Sequence, residues 1–177
     1  MIRILGIDPG SHITGYGVIE MQSNRLVYIT NGCIRTKGDD LAGRLHDIFR
    51  AVDEIVAEYT PHEVAIESVF VSRNVDSALK LGQARGSAIT AVALRHLPVI
   101  EYTPSAIKKA VVGRGNASKL QVQHMIKVLL GLKEKQQEDA ADALAVAICH
   151  GHSRSALRQL GRLTRTTRSS SRWRLKG

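Results

Sequence analysis

Cysteine is scarce in this chain. Cys33 and Cys149 are the only two, they are far apart, and they follow no paired spacing. That excludes a disulfide framework and points to reduced core thiols in a reducing compartment. No stretch approaches the roughly 18 uninterrupted apolar residues of a membrane helix, and Arg3 and an Asp-Pro-Gly turn interrupt the apolar start that a signal peptide needs. The expectation is a soluble, cytoplasmic protein. No Gly-x-Ser-x-Gly or Cys/His signature supports a covalent nucleophile. Cys149-His-Gly-His152 resembles a fragment of a zinc site but has no second ligand pair. Residues 151–177 contain no acid at all. They carry 8 Lys/Arg, net +8, while residues 1–150 carry 17 Lys/Arg against all 16 acids, net +1.

What is present begins with Arg3-Ile-Leu-Gly-Ile-Asp-Pro-Gly10, a run too short for a helix and rich in β-branched residues, closed by a turn dipeptide. It reads as a buried strand that delivers Asp8 to its C-terminal end, where ionisation is costly unless a cation or strong hydrogen bonds compensate. An Asx turn at Asp8 is the plainer alternative. Segments 14–20 and 25–34 follow as a hairpin, giving three antiparallel strands. Asp39-Asp40 then offers an N-cap to an amphipathic helix ending at Thr60-Pro61. Val64-Ala-Ile-Glu67 repeats the opening pattern. A right-handed crossover through that helix would set it parallel to the first strand, with Glu67 and Asp8 at one sheet edge.

Beyond Glu67 the chain reads as a loop bearing Phe70 and Arg73, then a helix from Ser77 to about His96 capped by Asp76 or Ser77. Gly82 and Gly86 lie four apart in that helix and suggest a close packing interface. A fifth strand covers 98–102, and a short helix carries Lys108 and Lys109. The glycine-rich loop 113–118, which includes Arg114, caps a helix from Lys119 to Leu130. The loop lacks P-loop spacing, so a nucleotide reading is weak. In the helical run 138–148, Asp139 and Asp142 lie three apart on one face among alanines. Two like charges repel there; a divalent cation would hold them. Asp8, Glu67, Asp139 and Asp142 together form an oxygen-rich set suited to Mg²⁺ or Mn²⁺ and to phosphodiester hydrolysis. Glu138, four before Asp142, is a rival ligand.

Several blocks of the chain resemble the RuvC family of bacterial Holliday-junction resolvases: Gly6-Ile-Asp-Pro-Gly-Ser11 with Thr14-Gly-Tyr-Gly17, Ile66-Glu67, Asp76-Ser-Ala-Leu-Lys-Leu-Gly-Gln-Ala-Arg-Gly86, Val111-Val-Gly-Arg-Gly-Asn-Ala-Ser-Lys119 with Gln121-Val-Gln-His-Met125, and Asp139-Ala-Ala-Asp-Ala-Leu-Ala145. The resemblance implies a ribonuclease H-like α/β fold over residues 1–152, a five-stranded mixed sheet with helices on both faces. It further implies a homodimer that uses Mg²⁺, two ions per site with Mn²⁺ able to substitute. Symmetric nicks in two opposed strands of a four-way DNA junction would leave 5′-phosphate and 3′-hydroxyl ends, in recombination and DNA repair. The family's metal-binding acids fall on Asp8, Glu67, Asp139 and Asp142. Lys108 and Lys119 match DNA contacts near the scissile phosphate, and Phe70 matches an aromatic that meets unpaired bases. Arg73, Lys80, Arg85, Lys109 and Arg114 join them as DNA-contact candidates, and Gly82 and Gly86 fall in the dimer region. RuvA and RuvB, a junction-binding and branch-migrating helicase complex, are the implied partners.

Residues 153–177 match no motif of that family. Their Ser, Thr and Arg content reads as a flexible tail or a loose helix with Arg154, Arg158, Arg162 and Arg165 on one face, suited to a polyanion. Two other classes share part of the pattern. Actin-like sugar kinases also begin with a glycine-flanked Asp on the first strand, but they resemble a duplication of this unit. A non-catalytic DNA-binding scaffold accounts for the tail and leaves four acids beside a phosphate backbone unexplained.

Overall fold

The first strand, β1 (Ile2–Asp8), lies at the centre of the sheet because both of its faces are apolar. Ile4 packs to one side, while Leu5 and Ile7 pack to the other. The computed structural model describes residues 1–23, 25–38, 40–68 and 74–169, with side chains as far as Ala156. The remaining strands are β2 (Ile13–Gln22), β3 (Arg25–Arg35), β4 (Glu63–Glu67) and β5 (Val99–Tyr102). The sheet order is β3-β2-β1-β4-β5, with β1, β2 and β3 antiparallel and β1, β4 and β5 parallel. The expected mixed five-stranded sheet is therefore present, and β1 and β4 are neighbours. A bulge at Val18/Ile19 adjusts the β2/β3 register.

Helices α1 (Leu41–Tyr59) and α2 (Val75–Leu94) cover one face, burying Ile48, Val52, Ala84 and Ala88 against Leu5, Ile7, Val64 and Ile66. Helices α3 (Pro104–Val112), α4 (Lys119–Leu130) and α5 (Glu138–Ser169) cover the other around Leu144, Ile148 and Ile126. Most caps follow the sequence. Asp40 accepts from the Gly43 amide at 2.6 Å, Thr103 from Ala106 at 3.2 Å, and Ser118 forms a capping box with Gln121. The start of α2 differs from the expectation. Asn74 caps it, accepting from the Ser77 amide at 3.2 Å, so the helix begins two residues earlier than Ser77 and places Asp76 in its first turn. The physical reason is that Asn, Asp and Ser all cap well, and the sequence alone does not rank three of them in a row of four.

Helix α5 is the other departure in extent. It runs unbroken through Gly151 to Ser169. It presses on the sheet because glycines face it: a Cβ on Gly6 would lie 2.2 Å from the Ala143 carbonyl oxygen, and one on Gly15 would lie 1.9 Å from that of Asp139. Gly151 lies near Ile4, Met21 and Leu26. The helix therefore runs antiparallel to β1, from the Asp8 end of the sheet to the Ile2 end.

Candidate active site

Strand alternation directs the acids. Ile4 and Gly6 face α5, so Asp8, two residues on, turns the same way. On β4, Val64 and Ile66 face α1 and α2, which leaves Glu63, Ala65 and Glu67 on the α5 side. Pairing of Ile7 with Ile66 sets Asp8 beside Glu67. The turn after Asp8 is fixed by the buried Thr14 hydroxyl, which donates to the Gly10 carbonyl at 3.0 Å and accepts from the Gly10 amide at 3.3 Å. The close approach of α5 at Gly15 then brings Asp139 and, one turn on, Asp142 to the same edge.

The electrostatics of these acids follow from that crowding. Burial, then the charges of Glu67 and Asp142, then a hydrogen bond to Glu67 and the charge of Asp139 push the Asp8 carboxyl up to about 8. Asp8 holds a proton and donates it to Glu67. Burial also raises Glu67, partly offset by that hydrogen bond and by Lys108 and Lys119. Asp142 is raised by burial, and the Lys119 ammonium 3.0 Å away offsets this. Lys119 also contacts Glu138. Burial works against its charge, and the bonds to Glu138 and Asp142 outweigh burial to hold the ammonium above the usual lysine range.

The acids thus stand as a proton-sharing pair, Asp8 with Glu67, beside Asp142 neutralised by a lysine. As placed, no three His, Cys, Asp or Glu side chains among the described residues converge on one metal-sized point. The donor set nonetheless fits a hard cation, because the shared proton and the lysine ammonium are the positive charges that a cation would replace. Glu138 faces outward with its side chain 64% exposed and is bound to Lys119, in contrast to Asp142 at 26%.

A cleft of about 270 Å³ opens beside the acids, lined by Glu67, Ile107, Lys108, Lys119, Val122 and Asp142. Of the sequence's cationic candidates, Lys108 and Lys119 lie in this cleft, and Lys109 and Arg114 are exposed nearby in sequence on α3 and the loop after it. Lys80 pairs with Asp76 at 2.6 Å. Arg85 pairs with Glu101 at 2.6 Å and donates to the Glu67 carbonyl at 3.3 Å, so it braces the end of β4. Phe70 and Arg73 lie outside the described residues. Gly82 and Gly86 are exposed on α2, with open space where a Cβ would stand. A second cleft, of about 210 Å³ between α4 and the segment before α5, contains none of the four acids.

One polar network escaped the sequence. Buried His150 on α5 bonds Glu63 at the start of β4 through Nε2 at 2.7 Å and the Tyr102 hydroxyl through Nδ1 at 2.8 Å, and Arg154 also contacts Glu63. It ties the acid-bearing helix to the acid-bearing strand. In sequence His150 belonged to the Cys149-His-Gly-His152 fragment, whose members have separate partners: Cys149 is buried and His152 meets the Ala110 carbonyl at 3.0 Å. The signal that could have found it is the pairing of an internal histidine with Glu63, an acid at the opposite end of its strand from Glu67.

Comparison with known proteins gives consistent results. A family model described as crossover junction endodeoxyribonuclease RuvC matches residues 4–150. The chain is 56% identical over 175 residues to a crossover junction endodeoxyribonuclease RuvC of Shewanella oneidensis, covering 98% of this chain and 100% of that one. Among solved structures, Thermus thermophilus RuvC in complex with a Holliday junction substrate superposes with a TM-score of 0.83 at 31% identity, covering 88% of this chain and 96% of that one. The yeast mitochondrial Holliday junction resolvase gives a TM-score of 0.67 at 11% identity over 93% and 85% of the two chains, a likeness of fold.

Proposed function

The chain belongs to the RuvC family of crossover junction endodeoxyribonucleases, and from that premise we propose that it resolves four-way DNA junctions by metal-dependent hydrolysis of one phosphodiester in each of two opposed strands. The observation that carries the reading is the gathering of Asp8, Glu67, Asp139 and Asp142, from two strands and one helix, beside a cleft lined by Lys108 and Lys119. A carboxyl pushed up to about 8 at Asp8, first by burial and then by the charges of Glu67 and Asp142, supports a functional site at this edge.

The four acids would hold Mg²⁺, two ions per site, with Mn²⁺ able to substitute. Bound ions of this class activate water and stabilise the leaving oxygen of a phosphodiester. With the ion bound, Asp8 would serve as a carboxylate without its proton, and Asp8 and Glu67 would both be free to hold the cation in place of the hydrogen bond between them. Lys119 leaves Asp142 for the substrate, where its ammonium and that of Lys108 neutralise the phosphate flanking the cut. Arg85 keeps Glu67 in place by holding its carbonyl. Arg73, Lys80, Lys109 and Arg114 extend the phosphate contacts, and Phe70 stacks on an unpaired base. The products carry 5′-phosphate and 3′-hydroxyl ends.

A four-way junction has near two-fold symmetry, and paired nicks need two sites. The exposed face of α2, with Gly82 and Gly86 open to solvent and Leu79 61% exposed beside them, supports a homodimer through that face. Residues 1–152 form the nuclease domain and 153–177 a basic extension. Cytoplasmic location and cooperation with RuvA and RuvB belong to the same reading; no helix among the described residues is long and apolar enough to cross a membrane. The test is cleavage of a labelled four-way junction beside a linear duplex of the same sequence, with Mg²⁺ and with EDTA. Paired, religatable nicks confined to the junction and lost in EDTA are expected. Binding without cleavage in any divalent metal overturns the reading.

A further inference from the structure

Cations also flank the carboxylates on the side away from the cleft. Ile34 is buried toward α1, so Cys33 and Arg35, one residue to either side of it, face α5 with the acids. Burial raises the Cys33 thiol; a hydrogen bond to the Ala140 backbone and the charges of Asp139, Arg35 and Asp8 also act on it, so these three charged groups stand around one side chain. The Arg35 guanidinium lies 3.5 Å from Gln137 Oε1, just before α5. Across the sheet, Asp8 pairs with Gly15 and Gly15 with Cys33. Two strand spacings and two residues of rise put the Arg35 backbone roughly 12 Å from that of Asp8. Lys37 follows just past β3, and its backbone is fixed. The Lys37 and Gly38 amides donate to Asp47 Oδ2 at 2.8 and 3.2 Å, and the Thr36 amide donates to the His12 carbonyl at 3.1 Å, which ties this segment to the turn after Asp8. Arg35 and Lys37 are both exposed, and neither forms an ion pair among the described residues. The acids that share a shallow cleft with them are engaged elsewhere, Asp47 by those amides and Glu54 by Arg50 at 2.8 Å.

We propose that Arg35 and Lys37 form a second phosphate-binding subsite, which holds the backbone of the cleaved DNA strand on the β3 side of the acids, opposite Lys108 and Lys119. A strand drawn across four carboxylates passes a region that repels it, and cations on one side alone leave its other half unheld. Arginine suits this place because its planar fork meets a phosphate through two parallel hydrogen bonds. Its own partner here, the Gln137 side chain, is neutral and at the limit of hydrogen-bond distance, so a phosphate competes with it easily. At about 3.4 Å of rise per nucleotide, 12 Å or so is a span of about three or four nucleotides. The inference deepens the DNA-cleaving reading above and rests on it. Mapping phosphate contacts without metal keeps the two tests apart.

The experiment compares the full chain with the double variant Arg35→Gln and Lys37→Gln, with the charge-keeping Arg35→Lys, and with Lys108→Gln. Arg25→Gln, which removes an exposed cation at the opposite end of β3, is the control for net charge. Affinity for a labelled four-way junction is measured in EDTA over a range of salt. Phosphates whose ethylation blocks binding are mapped relative to the branch point. The double variant is expected to melt with the native chain and to bind about fivefold or more weakly in 0.1 M salt. Its slope of log affinity against log salt should fall by about 1–2, since each phosphate contact contributes about 0.9. It should lose one cluster of interfering phosphates, and Lys108→Gln should lose a different one. Arg35→Lys and Arg25→Gln should keep the native slope and both clusters. An unchanged slope or an unchanged footprint in the double variant overturns the proposal. An equal loss in Arg25→Gln also overturns it, because only net charge would then matter, and so does loss of the same phosphates as in Lys108→Gln. A native chain that shows both clusters and yet cleaves no junction in Mg²⁺ defeats the function reading and upholds this one.

Discussion

Asp8 carries the strongest electrostatic consequence of any single residue. Its folded pKa of about 8 stands above the ordinary carboxyl value of 3.8. Between those limits the folded chain binds more protons than the unfolded chain, so metal-free stability falls as pH rises from about 4 to about 8. A tenfold difference in proton affinity between the two states is worth about 1.4 kcal/mol. Asp8→Asn removes the titration. In EDTA at pH 8 the variant should melt several degrees above the native chain, and the gap should close toward pH 5; saturating Mg²⁺ should reverse the order. Calorimetry at the two pH values checks this, and a native chain more stable at pH 8 than at pH 5 in EDTA contradicts it. Glu138 gives a second residue-level prediction. It is exposed and holds Lys119, and a solvent-facing pair of this kind contributes little to stability because water screens it. Glu138→Gln should therefore leave the melting temperature almost unmoved. It should tighten metal-free junction binding a few-fold, because an acid beside the cleft is gone and Lys119 is less engaged. Fluorescence anisotropy with a labelled junction reads the change, and equal or weaker binding counts against it.

At the level of elements, the site depends on how closely α5 lies on β1 and β2. Gly6→Ala would drive a methyl into the Ala143 carbonyl, and overpacking of this sort costs roughly 1–3 kcal/mol. For a chain of this size that is about 2–4 °C in Tm per kcal/mol. The displaced helix carries Asp139 and Asp142, so the Mg²⁺ concentration for half-maximal cleavage should rise as well. A variant with native Tm and native Mg²⁺ dependence would show that the approach is not needed. The sequence displayed one half of this contact. The alanines around Asp139 and Asp142 announced tight packing, and the two short apolar runs ending in Asp8 and Glu67 announced parallel neighbours with acids at one edge. It did not display which residues the alanines meet, since a glycine in a strand reads as a bulge or weak point until a helix is known to cross it. The continuation of α5 past residue 150 was one of two readings of the sequence, a loose helix or a flexible tail, and glycine and serine among arginines did not decide between them. Anchoring by the His150, Glu63 and Arg154 contacts is a long-range feature that local pattern does not encode. Asn74 as the cap of α2 was missed for the opposite reason, an excess of good local candidates.

For the whole molecule, the layout separates three regions. One sheet edge holds the acids and the cationic cleft, the outer face of α2 is the surface proposed above for a second copy, and α5 leaves the sheet at the far edge. The α2 face supports a prediction of its own: Gly86→Glu puts a charge where there is now open space, with no other part of the described chain beyond its own helix turn within 4 Å of the added Cβ. The fold should survive; the native chain is expected to sediment as a dimer and the variant, at the same concentration, as a monomer, with paired nicking giving way to uncoupled single nicks. A dimeric variant would move the interface elsewhere. The central claim, that Asp8, Glu67, Asp139 and Asp142 form one metal-dependent hydrolytic site, is tested most directly with Asp8→Asn on a four-way junction in Mg²⁺. Cleavage is expected to be lost while junction affinity stays at the native value, since Asn keeps the shape of the carboxyl and the cleft cations Lys108 and Lys119 are untouched. Retained cleavage, or loss of binding from a folded variant, would contradict the assignment.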